Sequence, residues 1–184
     1  MYEGTNIKAV RSQREIAKAL CALIQEKPYD KIQITDICER AGLSRRTFYN
    51  LFDSKDEALW FHLQDLYRQS YKKYADKEDL SDTDIIDIFM EIVESNRPFY
   101  VAMVKNRLSG MIADIVYESV SFFYDAYINE KYPPEFAPYY KAIFAGAFSY
   151  VILEWLSQEE PLEKEKFIEM LKGFLNGELI LPEK

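Results

Sequence analysis

The sequence predicts an all-α protein of about nine helices, in which a three-helix head with a helix-turn-helix precedes a larger helical domain. Apolar residues recur at three- and four-residue spacing along nearly the whole chain, and no stretch shows the strict alternation of a half-buried strand. Six Gly and seven Pro among 184 residues leave little material for long loops. Short polar or Pro-containing breaks divide the periodic segments into helices of ordinary length.

The first helix is expected from Asn6 to about Glu26, with Ile16, Leu20, Leu23 and Ile24 inward and Lys8, Arg11, Arg14 and Lys18 on other faces. Pro28 ends it, and the chain to Ile32 reads as a connector. Two short helices follow, Ile34 to Ala41 and Arg45 to Leu51, parted by Gly42-Leu43-Ser44. Ser54-Lys55-Asp56-Glu57 has the form of a capping box and opens a long fourth helix reaching about Tyr74. Ser81 or Asp82 caps the fifth, which runs to about Ser95. Pro98 suits the first turn of a sixth that ends at Asn106. Ser109 opens a seventh, broken by Pro133-Pro134 after Tyr132. Glu135 to Gln158 and Pro161 to Asn176 complete the set, with Gly177 as the stop.

The net charge of −8 argues at first against a nucleic-acid partner, since binding to phosphates needs Lys and Arg. Its distribution reverses that impression. Residues 1–55 hold 10 Lys and Arg against 7 Asp and Glu, whereas residues 56–184 hold 13 against 24. A basic head on an acidic body orients a chain on DNA by attraction at one end and repulsion at the other. Cys21 and Cys38 fall at inward helical positions and suggest neither a disulfide nor a metal site. No leader-like opening and no apolar run of spanning length is present, so a cytoplasmic protein without a membrane partner is expected.

Residues 34–51 carry the informative pattern. Ile34, Ile37 and Ala41 face inward, Cys38 is the small residue at a helix crossing, Gly42 supplies a turn with positive φ, Leu43 plugs the corner, and Phe48 and Leu51 anchor the second helix. Arg45, Arg46, Thr47, Tyr49 and Asn50 are left outside. Guanidinium suits guanine or phosphate, hydroxyl suits phosphate or a thymine edge, and amide suits adenine. A bare two-helix hairpin with a solvated polar face is the alternative.

The run Ile34-Thr-Asp-Ile-Cys-Glu-Arg-Ala-Gly-Leu-Ser-Arg-Arg-Thr-Phe-Tyr-Asn-Leu-Phe-Asp-Ser-Lys-Asp-Glu-Ala-Leu59 resembles the signature of TetR/AcrR-type transcriptional regulators. The likeness covers about residues 6–60. It implies a homodimer that binds a palindromic double-stranded DNA operator, most commonly as a repressor released by a small-molecule effector. It further implies a DNA-binding domain over 1–55, a fourth helix from 54 shared as connector, and a dimerisation and effector domain over 56–184. Carried over by position, Ser44, Arg45, Thr47, Tyr49 and Lys55 match DNA-contacting positions, Tyr49 and Lys55 chiefly at phosphates. Gln33 stands where a Thr or Ser cap is usual, with Thr35 as a substitute. Asn50-Leu51-Phe52 replaces a commoner ending, so base preference does not transfer.

Further along, Ala142, Gly146 and Ser149 form a small-residue stripe flanked by Phe148 and Trp155, and the resemblance implies that the last two helices pair across a two-fold axis. Aromatic residues crowd the middle of the chain. If an effector binds there, Phe99, Tyr100, Met103, Tyr117, Phe123, Tyr124 and Tyr127 are the candidates to line its pocket, although side chains at helical spacing also serve as core. His62, the single histidine, is expected at a surface or capped position. One histidine, no Gly-rich phosphate loop and no nucleophile motif exclude an enzyme, and no cofactor or metal is expected. The remaining alternative is a helical interaction protein with the same fold that no longer binds DNA.

Overall fold

The computed structural model describes residues 1–2, 4–72, 82–119 and 133–175. Among these there are nine α-helices and no strand: α1 Ile7–Glu26, α2 Ile34–Ala41, α3 Arg45–Leu51, α4 Lys55–Lys72, α5 Asp82–Ser95, α6 Arg97–Lys105, α7 over 109–119, α8 Ala137–Ser157 and α9 Lys164–Leu175. A single 3-10 turn, Tyr29–Lys31, fills the connector after α1. The far end of α7 expected near Tyr132 and the stop at Gly177 lie outside the described residues.

The chain forms two compact units, the first of Met1–Gln69 with Pro98–Met111 and the second of Ser70–Arg97 with Ile112–Lys184. In the first, α1 presents Ile16, Ala17, Leu20, Leu23 and Ile24 to a core completed by Ile37 and Cys38 of α2, Phe48 and Leu51 of α3, Leu59 and Leu63 of α4, and Tyr100 and Met103 of α6. Neither α2 nor α3 is long enough to be stable alone, so this packing holds them. Arg14 of α1 clamps Asp65 of α4 through two hydrogen bonds of 3.0 Å, and Gln69 adds a third donor at 2.6 Å. Bidentate geometry fixes orientation as well as distance.

In the second unit, α5 buries Ile85, Ile86, Ile88, Phe89, Met90, Ile92 and Val93. Phe89 meets Phe148 of α8 edge-on at 5.2 Å. Trp155 stacks on Phe167 of α9 at 4.8 Å, carries the Arg97 guanidinium over its ring at 4.1 Å, and donates its indole N–H to the Leu162 carbonyl at 2.8 Å. Lys172 of α9 pairs with Asp87 of α5 at 2.7 Å.

Candidate nucleic-acid interface

The turn that makes the motif is built as its residues require. Gly42 closes α2 with φ +65°, and the Leu43 N–H reaches back to the Cys38 carbonyl at 3.0 Å. This 6→1 bond with a left-handed residue at the helix end is a Schellman stop. A Cβ at Gly42 would meet nothing within 4 Å, so the requirement for glycine there is conformational. Ser44 then caps α3, its Oγ accepting the Thr47 N–H at 3.0 Å and lying 2.9 Å from the Thr47 hydroxyl.

Along α3 the two kinds of residue separate cleanly. Phe48 and Leu51 are buried, whereas Arg45, Arg46, Tyr49 and Asn50 are exposed. At about 100° per residue those four span an arc of about 140°, centred opposite the anchors. Tyr49 is steadied by an edge contact with Phe48 at 5.6 Å. Ser44 and Thr47 spend hydroxyl capacity on each other and on the cap, so the polar side chains that α3 leaves to solvent are the two arginines, the tyrosine and the asparagine.

At the start of α2, Gln33 and Thr35 are exposed. The side chain of Asp36 accepts the Gln33 N–H at 2.8 Å, and the Thr35 hydroxyl donates to Gln33 Oε1 at 3.4 Å. Asp36 therefore supplies the reciprocal half of a cap. The Lys27 ammonium, 2.6 Å away, and this N–H hold its carboxyl below the ordinary carboxylate range. Arg40 is taken up by Glu26 through two bonds of 2.6 Å. Lys27, Arg40 and Arg14 thus pair within the head, and Lys8, Arg11 and Lys18 are exposed on α1.

Lys55 departs from a simple phosphate contact. Its ammonium donates to the carbonyls of Tyr29 at 2.6 Å and Ile32 at 3.0 Å and lies 4.3 Å above the Tyr29 ring. A cation in the first turn of a helix opposes the macrodipole, and these acceptors offset that cost. Two of its three N–H groups are occupied, which leaves one for a phosphate. The expected box at Ser54 is also shifted: Ser54 Oγ accepts the Glu57 N–H at 3.2 Å, but the Glu57 carboxylate takes the N–H of Asp53 at 2.9 Å.

The connector is where sequence reasoning found nothing. Tyr29 donates its N–H to Asn106 Oδ1 at 2.7 Å and its hydroxyl to Asp56. The Asn106 amide in turn donates to the carbonyls of Ile24 at 3.3 Å and Ala102 at 2.8 Å. An asparagine at a helix end gives no signal of such a partner 77 residues away. Directly after it, Arg107 has φ +60°, which among the described residues no other non-glycine shares.

One further expectation requires correction. His62 is not a surface residue: it is partly buried edge-on against Phe99 at 5.0 Å, and loss of solvent pushes its imidazole down to about 4. Phe99, Tyr100 and Met103 are core side chains of the first unit, while Tyr117, in the second, is exposed with the Lys141 ammonium 4.7 Å over its ring. Phe123, Tyr124 and Tyr127 lie outside the described residues. Of the proposed interface set, Phe148, Ser149 and Trp155 are buried inside the second unit, because they share the face of α8 that packs on α5 and α9. Ala142 and Gly146 sit at or near the opposite face, whose large residues are Tyr139, Ile143 and Tyr150 at 69%, 67% and 76% exposure.

A Schellman-stopped helix followed by a capped helix with one anchored and one exposed side defines a helix-turn-helix protein. The model of bacterial regulatory proteins of the tetR family matches residues 14–59, and that of a transcriptional regulator C-terminal region matches residues 82–177. The chain belongs to the TetR family of DNA-binding transcriptional regulators. It is 40% identical over 52 residues to the HTH-type dhaKLM operon transcriptional activator DhaS of Lactococcus lactis subsp. lactis (strain IL1403), a match spanning 28% of each chain. In fold it is similar to the crystal structure of Lin0861 from Listeria innocua, with TM-score 0.75 and 13% identity over 96% of each chain. The structure of the dihydroxyacetone kinase operon activator DhaS gives TM-score 0.62 and 18% identity over 95% of this chain and 99% of that one. A TetR transcriptional regulator from Streptococcus agalactiae 2603V gives 0.58 and 21% over 92% and 94%.

Proposed function

We propose that the protein acts as a homodimer on a palindromic operator, with Arg45, Arg46, Tyr49 and Asn50 of each α3 in successive major grooves. The observation that carries this is the exposed arc of α3, opposite the buried Phe48 and Leu51. Arg45 and Asn50 carry the donor patterns that read guanine and adenine; Tyr49, Lys55, Ser44 and Thr47 serve phosphates, with Gln33 and Thr35 at the neighbouring strand. The twofold partner covers the face of α8 formed by Tyr139, Ile143 and Tyr150, where Gly146 permits close approach. Among the described residues, nothing outside the adjacent turns of α8 stands within 4 Å of the place a Gly146 Cβ would occupy.

Selection of bound fragments from a random DNA pool tests the reading. Enrichment of an inverted repeat with half-sites about 34–36 Å apart supports it, and no enrichment at low salt overturns it. Arg45→Ala should relax preference at one position of each half-site by about 1–3 kcal/mol, whereas Tyr49→Ala weakens all sequences alike. Ile143→Asp should give monomers by sedimentation; a persistent dimer removes that face from the proposal.

The sign of regulation has two readings. Repression by occupancy of a promoter is the first. Activation is the second, and the activator name of the relative with the 40% identical head favours it. A reporter driven by the selected operator decides between them. The proposal includes no catalytic role, and no helix among the described residues is long and apolar enough to cross a membrane.

A further inference from the structure

The segment before α1 makes more specific contacts than a loose leader would. Tyr2 is hydrogen-bonded at three points. Its N–H donates to the carbonyl of Leu51, the last residue of the recognition helix, at 2.9 Å. Its carbonyl accepts the side-chain amide of Gln13 at 2.9 Å, and Gln13 is only 2% exposed on α1. Its hydroxyl accepts the N–H of Asn6 at 3.3 Å, and Asn6 is itself the cap of α1 through the Lys8 N–H at 3.0 Å. The ring lies over Gly4 so closely that a Cβ there would fall 2.3 Å from the Tyr2 hydroxyl oxygen and 2.4 Å from Cζ. A side chain at position 4 would therefore displace the Tyr2 ring from its place.

Each contact answers a physical need. The last four carbonyls of a helix lack intrahelical donors, and α3 is followed at once by extended backbone at Phe52, so an outside N–H at Leu51 satisfies one of them. A buried glutamine amide without a partner is destabilising, and the Tyr2 carbonyl removes that penalty. The residues Met1-Tyr2-Glu3-Gly4-Thr5 contain no Lys or Arg and one Glu. Arms that enter a minor groove do so with arginine, so this segment has the wrong chemistry for DNA and the right geometry for protein.

We propose that Tyr2 and Gly4 form a strap that ties the C-terminal end of the recognition helix to α1 and fixes the pose from which α3 meets DNA, making them positioning residues. The inference rests on the DNA-binding reading above. Holding the docked orientation in the free protein removes an ordering cost from binding, and one hydrogen bond of ordinary strength corresponds to about a threefold to tenfold change in affinity.

The test uses the full chain with Tyr2→Pro, which deletes the N–H given to Leu51, Gly4→Ala, which collides with the Tyr2 ring, and the double variant Tyr2→Ala with Gly4→Ala, which restores the room. Amide exchange of residues 45–52 in the free protein and affinity for the selected operator across a salt series are both measured. The strap predicts faster exchange over 48–52 in the two single variants, operator binding weakened about threefold to tenfold with an unchanged salt slope, and recovery of both in the double variant relative to Gly4→Ala. Unchanged exchange, or faster exchange with unchanged affinity, overturns it. A salt slope reduced by about one overturns it in favour of a direct phosphate contact. If wild-type protein selects no DNA at all, the DNA reading fails on its own, and exchange alone still decides whether Tyr2 holds the helix end.

Discussion

The side chain of Asn106, at the end of α6, accepts the backbone N–H of Tyr29 in the connector between α1 and α2 at 2.7 Å. Its amide nitrogen meanwhile reaches the Ile24 and Ala102 carbonyls, so one residue satisfies groups from three parts of the first unit. Asn106→Leu should therefore lower unfolding free energy by about 1–3 kcal/mol, more than an ordinary surface substitution costs. Urea unfolding checks this, and a change within 0.5 kcal/mol, about the spread of ordinary surface substitutions, would show the clasp to be energetically idle.

Lys55 should behave as a structural residue as well as a DNA contact. Lys55→Ala removes the donor to the Tyr29 and Ile32 carbonyls and the cation above the Tyr29 ring. Expected is a loss of about 1–2 kcal/mol without DNA, together with weaker binding to every sequence. Thermal melts in the absence of DNA separate the two effects: an unchanged melting temperature would leave Lys55 a phosphate contact only.

Gly42→Ala meets open space and yet a left-handed backbone. The expected cost is about 1 kcal/mol, with Gly42→Asn milder because asparagine tolerates that region. Equal stability of the alanine variant and wild type in denaturant would contradict the left-handed turn.

Acid should weaken the head through three groups in the same direction. His62, shut from solvent against Phe99, titrates at about 4 when folded and near 6.5 when unfolded, so between those values the unfolded chain takes up a proton that the folded chain refuses. Its contribution, at most about 3 kcal/mol, is complete above pH about 6.5 and disappears as pH falls toward 4. Asp36 and Glu57 act lower down: hydrogen bonds from Lys27 and the Gln33 N–H, and from the Asp53 N–H, depress them, so what they add is present above the ordinary carboxylate range and is lost as pH drops through their folded values. Melting temperature should fall on acidification from pH 7, and His62→Gln should flatten the part between 6.5 and 4.5. An identical slope in that variant would assign the acid sensitivity elsewhere.

Local periodicity was enough to read α2 and α3 to the residue, because Gly42, the Ser44 cap and the alternation of anchors with polar residues are all encoded within a few positions. Side-chain partners across long separations were not readable. Nothing near Asn106 points to Tyr29, and nothing near Tyr2 points to Leu51. The α8 stripe shows a different limit. At the spacing of Ala142, Gly146 and Ser149 small residues mark close packing but not its direction, and the much larger Tyr139, Ile143 and Tyr150 show which side α5 and α9 leave uncovered. His62 escaped because its enclosure depends on Phe99, which arrives from α6.

The division of α3 into a buried pair and an exposed arc has a consequence over generations of descent. Arg45, Arg46 and Asn50 form no hydrogen bond or ion pair with any described residue, so on the proposed DNA-binding reading their replacement would alter recognition without unsettling the fold. Phe48 and Leu51 bear the opposite constraint. On that reading a lineage carrying this head could drift to new target sequences by substitutions at these few positions, and gene duplication followed by such drift would yield paralogues of one architecture with separate regulons.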